Sequence, residues 1–162
     1  MNAHRKAAIV VGVLFIAAIV LLFVGQALYE PILGSPDYLQ DDYPSKTHIV
    51  AGLLIEFTGT VLAIALLPAF LYPVLKEHDE ALALGYFALR LLEVVLHAVD
   101  KLKKLSLIGL SQSYLDSGGV DVSSWRAVGS SIQSGSYWAF WLSIVVFGVG
   151  ALVLYVVLYK SR

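Results

Sequence analysis

The chain has 162 residues and a formal net charge of −1, which gives no electrostatic reason to expect nucleic acid as a partner. It is 59% hydrophobic and 14% charged, with mean hydropathy +0.80, against about 45–50% and about 25% in soluble domains. The apolar residues fall in continuous runs, which predicts an integral membrane protein. With no cysteine, disulfides, thiolate metal sites and thiol nucleophiles are excluded.

The first run, 7–29, follows a basic start, MNAHRK. It exceeds the roughly 7–15-residue core of a secretory signal and ends without a small-x-small cleavage site. It reads as a retained span, stopped by Pro31. Residues 30–46, EPILGSPDYLQDDYPSK, hold three prolines and four acids and read as an extracytoplasmic loop. Span 2 is predicted over 47–75, with Thr47 as N-cap and with Pro68 and Pro73 bending its second half. A cytoplasmic turn, KEHDE, covers 76–80. Span 3 is predicted over 81–115, broken by Gly118 and Gly119. Residues 116–135 are read as a loop with an interfacial approach. Span 4 covers 137–159, framed by Tyr137, Trp138 and Trp141 at one end and Tyr155 and Tyr159 at the other. The expected fold is all-α: a single polytopic bundle of four transmembrane helices, with a long antiparallel hairpin of helices 2 and 3.

Basic residues in the short flanks set the orientation. Arg5, Lys6, Lys76, Lys160 and Arg162 lie on one side, Lys46 and Arg126 on the other. Both termini are expected in the cytoplasm of a cell-membrane protein.

Within span 3 the stretch RLLEVVLHAVDKLKK, 90–104, is charged where a span should be apolar. Steps of three and four place Arg90, Glu93, His97, Asp100 or Lys101, and Lys104 on one helical face. A charge at the bilayer centre costs at least about 2.5–3.5 kcal/mol, so this face should meet protein or water. In a helix 2–helix 3 hairpin, residues whose numbers sum to roughly 157 stand level. Glu56 then faces Lys101 or Lys104, and Glu93 pairs with Arg90 or His97. Lys103 points away and can snorkel to an interface. The buried polar seam comprises Glu56, Arg90, Glu93, His97, Asp100, Lys101 and Lys104. Spans 2 and 3 are longer than the hydrocarbon core, so one end of the hairpin projects. If the outer end projects, the lysines are interfacial and Arg90 lies at mid-membrane; if the inner end projects, the lysines lie deep.

Glu93 and His97 form an E-x-x-x-H pair, with Glu56 and Asp100 nearby, but the adjacent lysines repel a divalent ion. His48 lies too far along the hairpin from His97 to share a haem. His4 and His78 fall in exposed flanks. No nucleophile elbow, phosphate loop or dinucleotide fingerprint is present. No cofactor, metal or catalytic residue is assigned, and an enzyme is disfavoured. Gly148, Gly150 and Ala151, and Gly52 and Gly59 on span 2, are read as close-packing positions within the bundle.

Six pieces in order carry a resemblance: AAIVVGVLFI, PILGSPDYL, GLLIEF, YPVLKEHDEALALGYFALRLLE, LSLIGLSQ and ALVLYVVLYKSR. Together they resemble the prokaryotic integral membrane family catalogued as domain of unknown function 4386. That resemblance implies an all-helical membrane protein with no established activity. Glu56, Arg90 and Glu93 match its recurring polar positions. The family is usually apolar at the positions of His97, Asp100 and Lys101 to Lys104. Its members usually continue past the position of Arg162 with about two more spans, so a fragment or shortened form is expected.

Two functions compete at this stage. In the first, the seam lines a path for a small solute, ion or proton. In the second, the chain is a non-catalytic structural or assembly subunit whose buried ion pairs hold the bundle or an oligomer together. The lipid bilayer is the expected partner, with a homo-oligomer as a further one.

Overall fold

The computed structural model describes residues 3–160. Arg162 lies outside the described residues, and the side chains of His4, Arg5 and Lys6 are likewise not described. Helix α1 spans Ala3–Leu33, and α2 is one short turn, Tyr38–Asp41. Helix α3, Lys46–Val61, passes through a π-helical turn, Leu62–Leu66, into α4, Leu67–Leu75. Helix α5 covers Glu80–Asp116 and α6 covers Val122–Lys160; there is no strand among the described residues. Among the described residues four helical stretches are long and apolar enough to cross a membrane: 12–33, 46–75, 80–116 and 122–160. The protein is a multi-pass helical bundle.

Each departure from the predicted boundaries has a local cause. Helix α1 runs past Pro31 to Leu33. A proline in the last turn removes one donor, and the helix closes three residues later where Gly34 N donates to Glu30 O at 2.9 Å. The predicted loop 30–46 therefore contains the end of α1 and the turn α2. Span 2 begins at Lys46, with Ser45 rather than Thr47 at the N-cap. In the same span, the ring of Pro68 would meet the carbonyl four residues back. The π turn lies at that point and absorbs the misfit.

The largest correction is α6. Residues 122–135, read as loop, are helical. Gly118 (φ 74°), Gly119 (φ 72°) and Asp121 (φ 53°) make the reversal. Ser123 and Ser124 then donate to the Asp121 carboxylate at 2.8 and 2.6 Å. The serines beyond it do not break a helix: the Ser130 hydroxyl, for one, donates to Ala127 O at 2.9 Å.

The bundle is built from two packed pairs, α1 with α3 and α5 with α6, and α3 and α2 join them by packing on α5. Glycine sets the first pair. A Cβ on Gly25 would stand 2.6 Å from Gly52 O and from Glu56 N, and one on Gly59 2.8 Å from Ala18 O. These backbones nearly touch, as small residues permit in membranes. The second pair follows a seven-residue period. On α6 the buried positions include Gly129, Ser136, Ser143, Gly150 and Val157; on α5 they include Tyr86, Glu93, Asp100, Leu107 and Tyr114. A strict heptad keeps one seam facing its partner along a left-handed pair. Gly148 is not on it. Nothing lies within 4 Å of where its Cβ would be, so it has no packing role in the bundle.

Exposed apolar side chains mark a belt around the bundle. They run over Ile9–Val24 on α1, Leu54–Val74 on α3 and α4, Leu84–Leu102 on α5 and Tyr137–Tyr159 on α6, with Leu115, Val120, Val122 and Val128 exposed as well toward the loop end. On α5 the stretch from Leu84 to Leu102 rises about 27 Å at about 1.5 Å per residue, close to a hydrocarbon core of about 30 Å. Tyr137, Trp138, Phe140 and Trp141 stack edge to face or tilted at one rim, as an interfacial belt does. The rim lies level with Asp100, because Ser136 of α6 bonds to it. The loop end of the bundle, holding α2 and the 117–121 reversal, lies beyond that rim. Arg90 and Glu93 sit near mid-belt, and Lys101 and Lys104 at its loop-side edge.

Candidate functional site

The heptad of α5 places Glu93 and Asp100 inside the bundle, and Arg90, His97, Lys101 and Lys104 flank them. Glu56 arrives from α3, held close to α1 by the glycine contacts at Gly25. Glu56, Glu93, Asp100 and Lys101 are buried; Arg90, His97 and Lys104 are half-buried.

The upper tier joins four charges. Lys101 Nζ lies 2.7 Å from Glu56 Oε1 and 2.9 Å from Asp100 Oδ2. Lys104 Nζ lies 3.3 Å from the same Asp100 oxygen. Of the two lysines open to Glu56, Lys101 makes the ion pair. Two acids against two lysines leave no net charge, and neutral groups complete the shell. The Tyr29 hydroxyl donates to Glu56 Oε2 at 2.6 Å and accepts from Lys104 at 3.2 Å. The Ser136 hydroxyl donates to Asp100 Oδ1. Both lysines also lie over the Tyr29 ring, at 5.9 and 5.0 Å from its centroid.

The lower tier is a single pair. Arg90 Nη1 donates to Glu93 Oε2 at 2.6 Å. The guanidinium is sandwiched between Tyr86 and Phe147, at 5.3 and 4.8 Å from their centroids. His97 stands one turn from each tier, its ring edge-on to Phe140 at 6.2 Å. His97 Nδ1 and Arg90 Nε are buried and find no protein partner. Buried polar atoms are satisfied in the large majority of cases, by protein or by water, which sets these two apart within the seam.

A cavity of about 130 Å³ opens on the upper tier, lined by Tyr29, Glu30, Lys104, Gln133 and Ser136 together with apolar Leu33 and Leu107. It continues past Leu33, Gly34 and Gln133 into a wider trough of about 430 Å³ that reaches Tyr38, Ser130 and Arg126. Lys103, expected to snorkel, lies alongside α6, its Cε 3.3 Å from where a Cβ on Gly135 would stand. Among the described residues no group of three His, Cys, Asp or Glu converges as a metal cage would require.

Sequence reasoning missed Tyr29, Ser136 and Gln133. Tyr29 stood only as the last residue of span 1, and the two α6 residues fell in or beside the supposed loop. The seven-residue recurrence of small residues through Gly129, Ser136, Ser143 and Gly150 is the signal that locates Ser136 on the α5-facing seam. A further buried acid, Asp42, lies outside the seam beside α2. It is fully buried, and neither carboxylate oxygen has a partner.

A family model described as Domain of unknown function (DUF4386) matches residues 10–162. No curated protein and no solved structure shows significant similarity to the chain.

Proposed function

The chain belongs to the DUF4386 family, a domain of unknown function, and on that premise we propose that it handles a small solute, ion or proton along the polar seam. The observation that carries the reading is the file of polar groups from the cavity beside Lys104 to the Arg90–Glu93 pair at mid-belt. It passes through the four-charge tier and His97, and its two orphaned buried atoms lie in its lower half. Intramembrane charges are retained at a cost and mark ion, proton or substrate routes by default. The file has a mouth at the loop end and narrows to a paired arginine. That form suits a binding site or proton relay entered from one side rather than an open pore. We place both termini in the cytoplasm, so the mouth faces outward.

The test uses the absence of native cysteine. Single cysteines at His97 and Lys104 should react with a membrane-impermeant thiol reagent added from the loop side, and one at Ala98, in the apolar groove between α3 and α5, should not. Protection of the residue-97 cysteine in a folded, reconstituted protein removes the path.

One observation favours the second reading, a structural or assembly subunit. Glu56 meets Lys101 directly at 2.7 Å rather than across a cavity. Such a clamp can fix helix register in the bundle or in a homo-oligomer. Full protection of residue 97 together with a stable oligomer in detergent supports that reading.

A further inference from the structure

We propose that the loop-end cavity binds a small zwitterion, carrying an ammonium and a carboxylate or phosphate a few bonds apart. The proposal rests on the solute-handling reading above and names its ligand class. Two charged side chains line the cavity, Glu30 of α1 and Lys104 of α5. Its hydroxyls are already committed: Tyr29 donates to Glu56, and Ser136 donates to Asp100. The groups left to meet a ligand are the Glu30 carboxylate, the Gln133 amide and the remaining N–H of Lys104. Among the described residues the Glu30 side chain makes no hydrogen bond or ion pair. Lys104 is 24% exposed, and its 3.3 Å contact is to an acid that Lys101 approaches more closely.

Charge decides the class. Glu56 and Asp100 cancel Lys101 and Lys104. Glu30 adds one negative charge, and Arg126, on the trough continuing the cavity, adds one positive. The mouth thus has separated poles and no net charge. A lone anion meets Glu30, and a lone cation meets Lys104 and Arg126. A zwitterion can put its ammonium on Glu30 and its anionic end on Lys104 and Gln133. Size bears on the ligand as well. The part lined by Glu30 and Lys104 is small, about 130 Å³, room for a glycine-sized solute or a lipid headgroup, and it opens on the wider trough. The cavity adjoins the rim of the apolar belt, so a free solute and a zwitterionic headgroup can both reach it.

Thermal-shift titration of the full chain in detergent tests this with glycine, phosphoethanolamine, acetate and methylammonium. Nanodiscs of phosphatidylethanolamine or phosphatidylglycerol form a second arm. At least one of the two zwitterions should raise the melting midpoint saturably, with at least tenfold tighter half-saturation than acetate or methylammonium. Saturation by the free molecules assigns a solute; stabilisation seen only in phosphatidylethanolamine nanodiscs assigns a headgroup; both sustain the proposal. Glu30→Gln should weaken the preferred zwitterion tenfold or more and leave the ligand-free midpoint unchanged. Lys104→Arg should retain binding, and Lys104→Met should lose it. Acetate binding as well as the zwitterions, or Glu30→Gln without effect, overturns the zwitterion. If no probe binds while the residue-97 cysteine still reacts, the ligand class fails and the path stands. If that cysteine is also protected, both fall.

Discussion

Lys101 Nζ lies 2.7 Å from Glu56 Oε1, and this contact ties the α1–α3 pair to the α5–α6 pair. Lys101 serves two acids, while Glu56 also holds the Tyr29 hydroxyl. The two partners are therefore unequal. Lys101→Met takes the cation from Glu56 and leaves Asp100 to Lys104 and Ser136, and it should cost about 3–5 kcal/mol, as for a broken buried pair. Glu56→Gln keeps an acceptor for Tyr29 and leaves Lys101 on Asp100, so it should cost about 1–3 kcal/mol. The double mutant should lose less than the sum. Glu56→Gln with Lys104→Met should couple more weakly, because those two meet only through Tyr29. Thermal melts in detergent measure the whole cycle. Additivity in the Lys101 cycle would show that the contact carries no interaction energy.

The approach of α1 to α3 predicts a steric result. Gly25→Ala puts a methyl carbon 2.6 Å from the backbone of Glu56 and Gly52. The helices must separate, at a cost of about 1–3 kcal/mol for overpacking, and Glu56 moves with α3. Gly148→Ala meets nothing within 4 Å and should be neutral. Equal melting midpoints for the two variants would contradict the close approach.

The charged face of α5 and the level of Glu56 were legible because steps of three and four, and the hairpin register, are properties of one helix and one turn. The start of α6 was not. WRAVGSSIQSG looks polar along the chain, yet Trp125 and Ile132, seven apart, pack on the core, and each helical turn satisfies its own backbone. Composition overrode periodicity in that reading. The position of the belt was also out of reach from one sequence. It emerges only when exposed apolar residues of four helices are brought to one level, as Leu102 and Tyr137 are by the Asp100–Ser136 bond. Asp42 was hidden because nothing in QDDY distinguishes the buried acid from the exposed one beside it.

Asp42 gives the loop end a pH dependence. Burial, and secondarily the neighbouring Asp41, push its carboxyl from 3.8 up to about 7. The folded state thus holds a proton that the unfolded chain releases between those values. The contribution is fully present below about pH 4 and is lost as pH rises through about 7. Melting midpoints should fall from pH 5 to pH 8, and Asp42→Asn should flatten that fall and match or exceed the parent at pH 8. Hydrogen exchange in residues 36–45 should report the same trend, because Ser111 ties this segment to α5 through Leu39 O at 2.8 Å and Tyr43 N at 3.0 Å. A profile unchanged by Asp42→Asn would assign the titration elsewhere.

Orientation is the remaining proposal with a direct test. Lys76 and Lys160 lie at the turn end, Lys46 and Arg126 at the loop end, and Arg5, Lys6 and Arg162 add to the turn-end count by sequence. Basic flanks are retained in the cytoplasm. The Lys160 ammonium lies 2.6 Å from Asp79 Oδ2, which brings the end of α6 to the α4–α5 turn, so a reporter at either place reads one side. A phosphatase active only outside the cytoplasm should be silent when fused after Arg162 or inserted at His78. It should be active when inserted at Gly119. Activity after Arg162 with silence at Gly119, in protein that is expressed and inserted, would reverse the topology and turn the mouth of the seam toward the cytoplasm.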